Sequence, residues 1–461
     1  MHLSWIASLR LTLIAVLLAA CAPAAADMAA AHAAWRDSRH AEAFGLFRRY
    51  ARLGSPTARY NVAMALLEGR VLARDVAEGH AWLDLAAAQG DAQSAARRDR
   101  VIASLSPADA AGARERAAAL RARYGPAALA NRLVPVPRTD VQPPARFASR
   151  QSHLNAVIER SFPRSCAGGM VFEFSIDALG HVRDVLAAPY RHSTADDLSC
   201  VQQRLPKAAA RVQQLRFEGD DGAIPEGDAF YFQLELVAID RDRRMRMILP
   251  HGDLALARDG NVHAQFGLAL QLLFGVSVQR DEEKARRWLQ LALAEGSTRV
   301  HYVVGIRALQ RGDEAAALAA FRKGDEAGDV PSRRRLAWLA ATTPDAVLRS
   351  PALAVEVSAR IALGALDIEA HDIRAAALAS AGRHGEAAEI LRAALANMDF
   401  GGDYDAIRAR MAAYRRGEAF IETENAWRVV APAESSRQPP TIGSISTTSL
   451  PSCTRRVKSP R

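Results

Sequence analysis

The sequence predicts a mainly α-helical protein interrupted by one α+β module. Three observations lead to this fold class. A segment of 33 residues recurs later in the chain with helical spacing of its apolar residues, and aromatic residues make up only 6% of the chain. One central stretch also changes from the helical period to the period of two that is typical of a β-strand. At 461 residues the chain is long enough for two or three domains.

The repeat appears when residues 58–90 are aligned without a gap on residues 264–296, which gives 13 identical positions at a constant offset of 206. Each copy is expected to form two antiparallel helices, over residues 58–67 and 76–88 in the first copy, joined by a loop that begins at Gly69. Residues 41–54, 300–328 and 374–395 are expected to form related but more divergent helical units.

The identical positions have expected roles that follow from size and backbone preference. Alanines let the helices approach closely, leucines and tryptophans fill the space between them, glycines end helices in the left-handed conformation, and aspartates cap helix N-termini. These positions are Ala63, Leu66, Gly69, Asp75, Trp82, Ala86 and Gly90 in the first copy, and Ala269, Leu272, Gly275, Asp281, Trp288, Ala292 and Gly296 in the second. All of these roles are structural and none is catalytic.

The first copy, ARYNVAMALLEGRVLARDVAEGHAWLDLAAAQGDAQSA, and the second, AQFGLALQLLFGVSVQRDEEKARRWLQLALAEGS, resemble the Sel-like repeat, a relative of the tetratricopeptide repeat. The resemblance implies helical arrays over residues 27–133 and 255–428. We expect such arrays to present a groove for a protein or peptide partner.

A proline-rich linker, residues 134–148, leads into the predicted α+β module at residues 149–240. Met170, Phe172, Phe174 and Ile176 alternate with other residues, which predicts a strand with one buried face. A turn over residues 177–180, a returning strand over 181–186, a helix beginning near Ser193 and a third strand over 230–236 complete the pattern.

The segments GMVFEFSIDALGHVRDV, DDLSCVQQRLPKAAARVQQLRFEG and AFYFQLELV resemble the C-terminal domain of the TonB family. The resemblance implies a three-stranded antiparallel sheet with helices on one side, which binds partners by strand addition. The module lies in the middle of the chain and lacks a long proline-rich spacer. We therefore expect it to share the fold of that domain and its binding of partners by strand addition, but not its role in energy transduction.

Residues 1–26 are expected to form an export signal, because an apolar run over residues 11–18 follows Arg10. The sequence Leu18-Ala19-Ala20-Cys21 resembles the lipobox of bacterial lipoproteins, which implies a lipid anchor on Cys21 and an outer-membrane location. The alternative is ordinary cleavage after residues 24–26, which would release a soluble periplasmic protein. Both interpretations place the protein outside the cytoplasm.

The remaining cysteines predict no metal site, because none stands in a C-x-x-C pair or near histidine at ligand spacing. Cys166 and Cys200 are candidates for a disulfide in an oxidising compartment, or else for two buried thiols. Cys453 lies in a tail, residues 431–461, whose composition predicts disorder.

The net charge of +9 comes largely from arginine clusters at residues 241–246, 333–335 and 455–461. We expect these clusters to form solvated faces, with contact to an anionic envelope surface as the alternative and nucleic acid excluded as a partner by export.

No hydrolase, metalloprotease or nucleotide-binding motif occurs in the sequence. Asp399-Phe400-Gly401 has the sequence of a protein-kinase tripeptide, but no other kinase motif accompanies it, so it is expected to be a loop. The sequence therefore predicts a non-enzymatic envelope scaffold without a cofactor, whose partners are envelope proteins or peptides. The alternatives are a TonB-like component that transduces energy to outer-membrane receptors, and a cell-wall-related enzyme of unrecognised type.

Overall fold

The computed structural model describes residues 27–138, 168–190, 194–215, 231–239, 242–248, 252–275, 278–398, 404–423 and 426–427. The expected export signal with Cys21, most of the linker, Cys166, the tripeptide at residues 399–401 and the tail with Cys453 lie outside these residues.

Seven helices form what we call the first helical array. They are α1 (Met28–Arg36), α2 (His40–Leu53), α3 (Pro56–Glu68), α4 (Val76–Ala87), α5 (Ala92–Ala103), α6 (Pro107–Tyr124) and α7 (Pro126–Arg132). Each helix from α1 to α5 packs against the next, and α6 packs along α4. The ring of Tyr124, at the end of α6, stacks on Trp82 of α4 with the ring centroids 5.9 Å apart.

An antiparallel sheet and one helix follow in the chain. The elements are β1 (Gly168–Ile176), β2 (Val182–Tyr190), α8 (Ala195–Gln213), β3 (Tyr231–Ile239) and β4 (Asp242–Ile248), and the strand order is β2-β1-β3-β4. Helix α8 packs on β1 and β2. Its N-cap is Thr194, one residue later than expected, because the Thr194 and Asp197 side chains bond each other's backbone N–H groups in a capping box.

Among the described residues the sheet has four strands rather than the three expected. The additional strand, β4, pairs with β3 and contains part of the arginine cluster at residues 241–246. Arginine and methionine alternate over residues 244–247, and this period of two is the sequence signal for the strand. In β1 the apolar alternate residues Met170, Phe172, Phe174 and Ile176 are buried against α8, as the alternation predicts.

In the described part of the chain after the sheet, ten helices form the second helical array. They are α9 (Leu254–Arg258), α10 (Val262–Phe274), α11 (Glu282–Ala294), α12 (Arg299–Gln310), α13 (Glu314–Glu326), α14 (Val330–Thr342), α15 (Pro351–Ala359), α16 (Ile368–Ser380), α17 (His384–Ala396) and α18 (Asp405–Arg415). Most helices pack against their chain neighbours, and α14 also packs against α12 and α16.

The two arrays share one hydrophobic core, although the sheet lies between them in the chain. A single cluster of buried residues contains Phe47 and Trp82 from the first array and Trp288 and Phe321 from the second. Backbone hydrogen bonds join the arrays as well: Met28 N donates to Asp259 O at 2.9 Å, and Gln279 N donates to Val136 O at 2.8 Å. The repeats are therefore continuous in space, and the sheet is an insertion between them.

The two repeat copies have matching helix ends. Gly69 and Gly275 end α3 and α10 in the left-handed region, with φ values of 68° and 67°. Asp75 and Asp281 cap α4 and α11 by accepting a hydrogen bond from the backbone N of the third helical residue, Glu78 in one copy and Lys284 in the other. The side chains that the repeat shares in the helix interiors are all buried: Ala63, Leu66, Trp82, Ala86, Ala269, Leu272, Trp288 and Ala292. Gly90 and Gly296 have φ values of 92° and 95°.

Arg59 and Gln265 occupy the same repeat position and satisfy the same kind of backbone group. Arg59 Nε donates to Ala51 O at 3.1 Å, near the end of α2, and Gln265 Nε2 donates to Ala257 O at 3.0 Å, near the end of α9. Both side chains are fully buried. Each of these carbonyls near a helix end also accepts a hydrogen bond from a glycine N three residues later, so the long polar side chain is a second donor to it.

Gly305 allows α12 and α13 to approach closely, and we predict that Gly305→Ala destabilises the second array. A Cβ atom at this position would lie 2.3 Å from Cε1 of Phe321, which is fully buried. Overpacking of a tight core costs about 1 to 3 kcal/mol, and this cost exceeds the helix propensity that alanine adds. Chemical denaturation would measure the loss. Gly112→Ala on α6, where no atom lies within 4 Å of the added Cβ, is the matched control and should not destabilise the protein.

Within the part of the chain that the structure describes, no helix is both long enough and apolar enough to cross a membrane.

Candidate binding site

A buried network of polar side chains fastens the sheet to the second array. We call it the junction network. Its members come from β1, β2, α12, α14 and α16, and all are at most 8% exposed: Ser175, Asp184, Tyr302, Arg334, Arg335 and Glu369.

Arg335 of α14 links two carboxylates that belong to different modules. Its Nε atom lies 2.9 Å from Oδ2 of Asp184 in β2, and its Nη2 atom lies 2.5 Å from Oε1 of Glu369 in α16. The neighbouring Arg334 lies 3.5 Å from Oε2 of Glu369 and also pairs with Asp367. Buried carboxylates are tolerated only when they are paired and hydrogen-bonded, so this arrangement holds β2 in one position against the helices.

Asp184, in β2, is the residue of the sheet that contacts three members of the junction network on the helices. Its φ value of 56° is in the left-handed region, which aspartate tolerates better than most residues. Its backbone N donates to Oε2 of Glu369 at 2.8 Å, and Tyr302 Oη donates to its Oδ2 atom at 2.7 Å. Ser175 Oγ lies 2.7 Å from Tyr302 Oη, and because the tyrosine proton points to Asp184, the serine is the donor in that pair.

Burial and charge move the pKa values of the network in opposite directions. Burial raises the pKa of Asp184 to about 6, with Glu369 adding to the rise and Arg335 opposing it. At Glu369 burial also favours the neutral form, but Arg335 and Arg334 together outweigh it and lower the pKa. Burial and the neighbouring Asp184 raise the pKa of Tyr302 well above its ordinary value, so this hydroxyl remains a donor.

The raised pKa of Asp184 predicts a specific dependence of stability on pH. A carboxyl with a higher pKa in the folded state binds a proton more tightly when folded, so its contribution is present at low pH and lost as pH rises through its folded value. Between about pH 5 and about pH 7, we expect this group to reduce the free energy of unfolding by about 1 kcal/mol.

The comparison that isolates this effect uses Asp184→Asn. Lowered pKa values of His80 and His301, caused first by burial, give a slope of opposite sign in the same window. The difference between wild type and Asp184→Asn removes these contributions. A variant whose unfolding free energy changes with pH as that of the wild type does would contradict the prediction.

A polar cleft of about 200 Å³ lies beside the junction network, between the sheet and the second array. Its walls come from the start of β2, the end of α8, and helices α16 and α18. The lining residues are His181, Val182, Arg183, Gln213, Gln214, Leu215, Ile368, Glu369, Asp372, Tyr404, Ala406, Ile407 and Arg410. Serine, threonine and cysteine do not occur among them.

Asp177 fixes the part of the cleft wall that the β1–β2 turn contributes. This fully buried carboxylate accepts hydrogen bonds from the backbone of Leu179 and His181 at 3.0 and 2.9 Å. Arg183 Nε donates to it at 2.9 Å, and His181 Nδ1 lies 3.3 Å away. Burial alone would raise its pKa, but the bonds from His181 and the charge of Arg183 lower it below the ordinary value, so the turn is held by an ionised group.

The segment after α18 closes the junction from the other side. Ala426 O accepts a hydrogen bond from Ala178 N of the β1–β2 turn at 2.8 Å, and Trp427 is buried in the core that the two arrays share. Glu422 accepts from Trp338 Nε1 at 2.8 Å, and its backbone N donates to Thr342 O at 2.7 Å. This segment therefore ties the sheet turn to α14.

The residues singled out from the repeats do not line the cleft, since the alanines, leucines and tryptophans are buried between helices and the glycines and aspartates lie at helix ends. Cys200 is disulfide-bonded, while its proposed partner Cys166 lies outside the described residues, so the pairing of these two residues stays a prediction.

Among the described residues, no group of three or more histidine, cysteine, aspartate or glutamate side chains is placed to hold a metal ion.

Sequence reasoning missed the junction network. The cluster at residues 333–335 is expected to form a solvated face, but Arg334 and Arg335 are each only 5% exposed. A weak signal exists in the sequence. Arg334 and Arg335 precede the apolar run Leu336-Ala337-Trp338-Leu339 on a predicted helix, and guanidinium groups on such a face need carboxylate partners. The sequence does not reveal that these partners come from other modules.

The fold and its junction define an α-helical repeat protein with an inserted antiparallel sheet. Residues 56–91 and 262–297 match the family model of the Sel1 repeat, so the chain carries two Sel1 repeats at the offset that the sequence predicts. No curated protein sequence matches the chain. Among solved structures, the chain is similar to a protective antigen present in uropathogenic Escherichia coli strains that displays an SLR fold. That match has 16% identity and a TM-score of 0.28, and it covers 82% of this chain and 69% of that chain.

Proposed function

We propose that the chain is an exported scaffold that binds envelope proteins or peptides. The observation that supports this most is the single core of the two arrays, because it makes two distant Sel1 repeats into one continuous helical surface. Stacked helical repeats present extended surfaces that suit protein partners. The repeat side chains that the sequence singles out are used in packing, which leaves recognition to the exposed residues around them.

The proposed location is the periplasm, with the outer membrane as the site of attachment through a lipid on Cys21. This proposal is supported by the apolar run over residues 11–18 and by the sequence Leu18-Ala19-Ala20-Cys21, which resembles a lipobox. The first helix begins at Met28, seven residues after Cys21, so an acylated Cys21 would keep the first array close to the membrane surface.

The sheet is proposed as a second binding element that resembles the TonB C-terminal domain. In the strand order β2-β1-β3-β4, strand β4 lies at one edge, and an edge strand offers unpaired backbone groups to an added strand. The junction network supports a fixed sheet rather than a freely moving one, since it anchors β2 to α14 and α16.

Crosslinking in living cells tests the scaffold. A photoreactive residue would replace Leu72 in the first repeat or Leu293 in the second, both of which are at least 40% exposed. A photoreactive residue at Val347, which is 91% exposed and lies outside both repeats, is the control. We expect one envelope protein to be attached at Leu72 and Leu293 but not at Val347. Cys21→Ala should keep this pattern in soluble extracts while it removes the protein from the membrane fraction.

Other results of the same experiment would favour the alternatives. A proton-driven motor or outer-membrane receptors attached through Leu179, in the β1–β2 turn, would indicate energy transduction instead. Absence of any attached protein would contradict the scaffold.

The polar cleft between the modules is the one feature that favours an enzyme. Its carboxylates Glu369 and Asp372 are bound to arginines, however, which makes them poor general bases. Hydrolysis of a purified cell-wall substrate by the wild type, lost in Ala406→Trp, would establish the enzymatic alternative.

A further inference from the structure

The carboxylates that line the cleft are already paired with arginines. Glu369 accepts hydrogen bonds from Asp184 N, from Gln213 Nε2 at 3.3 Å and from both arginines of the junction network. Asp372 accepts two bonds from Arg410, with Nε at 2.9 Å. Carboxylates whose charge is already compensated by arginine in this way attract a cationic ligand less than free carboxylates would.

The donors in the same wall are used only in part. Arg183 donates through Nε to Asp177, and its side chain is 32% exposed, so its two terminal nitrogens remain available within the described part of the chain. His181 directs Nδ1–H to Asp177 and is 40% exposed, and in a neutral imidazole the remaining Nε2 is an acceptor. The side-chain amide of Gln214 has no hydrogen bond to any described residue. The open hydrogen-bonding capacity of the cleft therefore includes the terminal N–H groups of Arg183, which carry positive charge, and the side-chain amide of Gln214.

Apolar side chains line the cleft next to these donors. Val182, Leu215, Ile368 and Ile407 come from four different elements or their ends, and they give the cavity a surface that excludes water from part of the ligand. The volume of about 200 Å³ is smaller than the roughly 300 to 1,000 Å³ of sites for drug-sized molecules. It suits a group the size of one residue at the end or side of a longer chain.

From these contacts we propose that the cleft binds a carboxylate of a peptide segment, with the oxygens at Arg183 and Gln214 and an adjacent apolar side chain against Ile368 and Ile407. Charge-assisted hydrogen bonds to a guanidinium are short and strong, and they discriminate a carboxylate from the neutral amide of the same shape. The inference deepens the proposed scaffold function and rests on it, because it gives the chemistry of one partner.

Calorimetric titration of the full chain with three acetylated leucine tripeptides tests the proposal. The first has a free C-terminal carboxylate, the second is its C-terminal amide, and the third is the amide with a glutamate in place of one leucine. We expect the free acid or the glutamate peptide to bind about tenfold more tightly than the plain amide, since one charge-assisted hydrogen bond is lost in the amide. The tighter of the two shows whether a chain end or an acidic side chain supplies the carboxylate.

Variants locate the binding in the cleft. Ala406→Trp places a large ring at the exposed edge of the cavity and should abolish binding, and Gln214→Leu should weaken it about fivefold through the loss of one donor. Ala409→Trp, also exposed on α18 but outside the lining, is the control and should bind as the wild type does. Neither Ala406 nor Gln214 belongs to the junction network.

Equal binding of all three peptides, no binding of any, or undiminished binding by Ala406→Trp would overturn the proposal. These outcomes are distinguishable from a failure of the scaffold function, because capture of an envelope protein at Leu72 and Leu293 does not depend on the cleft.

Discussion

Arg335→Met is expected to destabilise the protein by about 3 to 5 kcal/mol, because it leaves Asp184 buried without its paired arginine and leaves Glu369 with the longer contact to Arg334 alone. Methionine keeps most of the side-chain volume, so the loss reports the charge rather than a cavity. The measurement is the free energy of unfolding from chemical denaturation near neutral pH, where Asp184 is largely ionised.

Two further variants separate this effect from a general effect of removing arginine. Arg392 forms an ion pair with Glu389 in which both side chains are more than half exposed, and Arg392→Met should leave the denaturation midpoint unchanged. Asp184→Asn combined with Arg335→Met should recover part of the lost stability, since one uncompensated charge is then removed. An Arg335→Met protein as stable as Arg392→Met would show that the junction network does not hold the sheet.

Trp288→Ala is expected to cost about 3 to 5 kcal/mol and to affect both repeats. The Trp288 side chain is fully buried, and its Nε1 atom donates to Leu133 O at 2.8 Å, just after the last helix of the first array. The substitution therefore opens a cavity in the shared core and also removes a bond between the arrays.

Trp82→Ala is the matched variant, since Trp82 occupies the same position in the first repeat and is 1% exposed. Each variant should shift one common unfolding transition, measured by circular dichroism during denaturation. Two separate transitions, each moved by only one of the variants, would show that the arrays fold independently.

The repeats could be predicted from the sequence because their determinants are local. The glycine at the end of one helix, the aspartate that begins the next and the tryptophan within it lie at most 13 residues apart, and the glycine and the aspartate act on the ends of their own helix pair. The offset of 206 then assigns the same structure to the second copy. The weaker units at residues 300–328 and 374–395 form α12–α13 and α16–α17 as the pattern indicates.

The junction network could not be predicted, because its contacts join residues far apart in the chain. Tyr302 and Asp184 are separated by 118 residues, and Asp184 and Glu369 by 185. No local pattern shows which carboxylate an arginine will meet, and a buried arginine cluster has the same sequence signature as a solvated one. The continuity of the two arrays is missed for the same reason, since it depends on contacts across the inserted sheet.

The insertion has a consequence for recognition. A sheet fastened by Arg335 and by the segment around Trp427 forms one wall of the cleft, and helices α16 and α18 form the other. A ligand in the cleft would therefore contact both modules, so binding and the docking of the sheet should stabilise each other by linkage.

Hydrogen exchange followed by mass spectrometry, in wild type and in Trp288→Ala, tests most directly whether the two arrays form one continuous scaffold. We expect peptides around Met28 and residues 56–91 to lose protection together with peptides from residues 262–297. The reason is that two backbone hydrogen bonds, Met28 N to Asp259 O and Gln279 N to Val136 O, join the two arrays. Loss of protection confined to residues 262–297, with the first array exchanging as in the wild type, would contradict it.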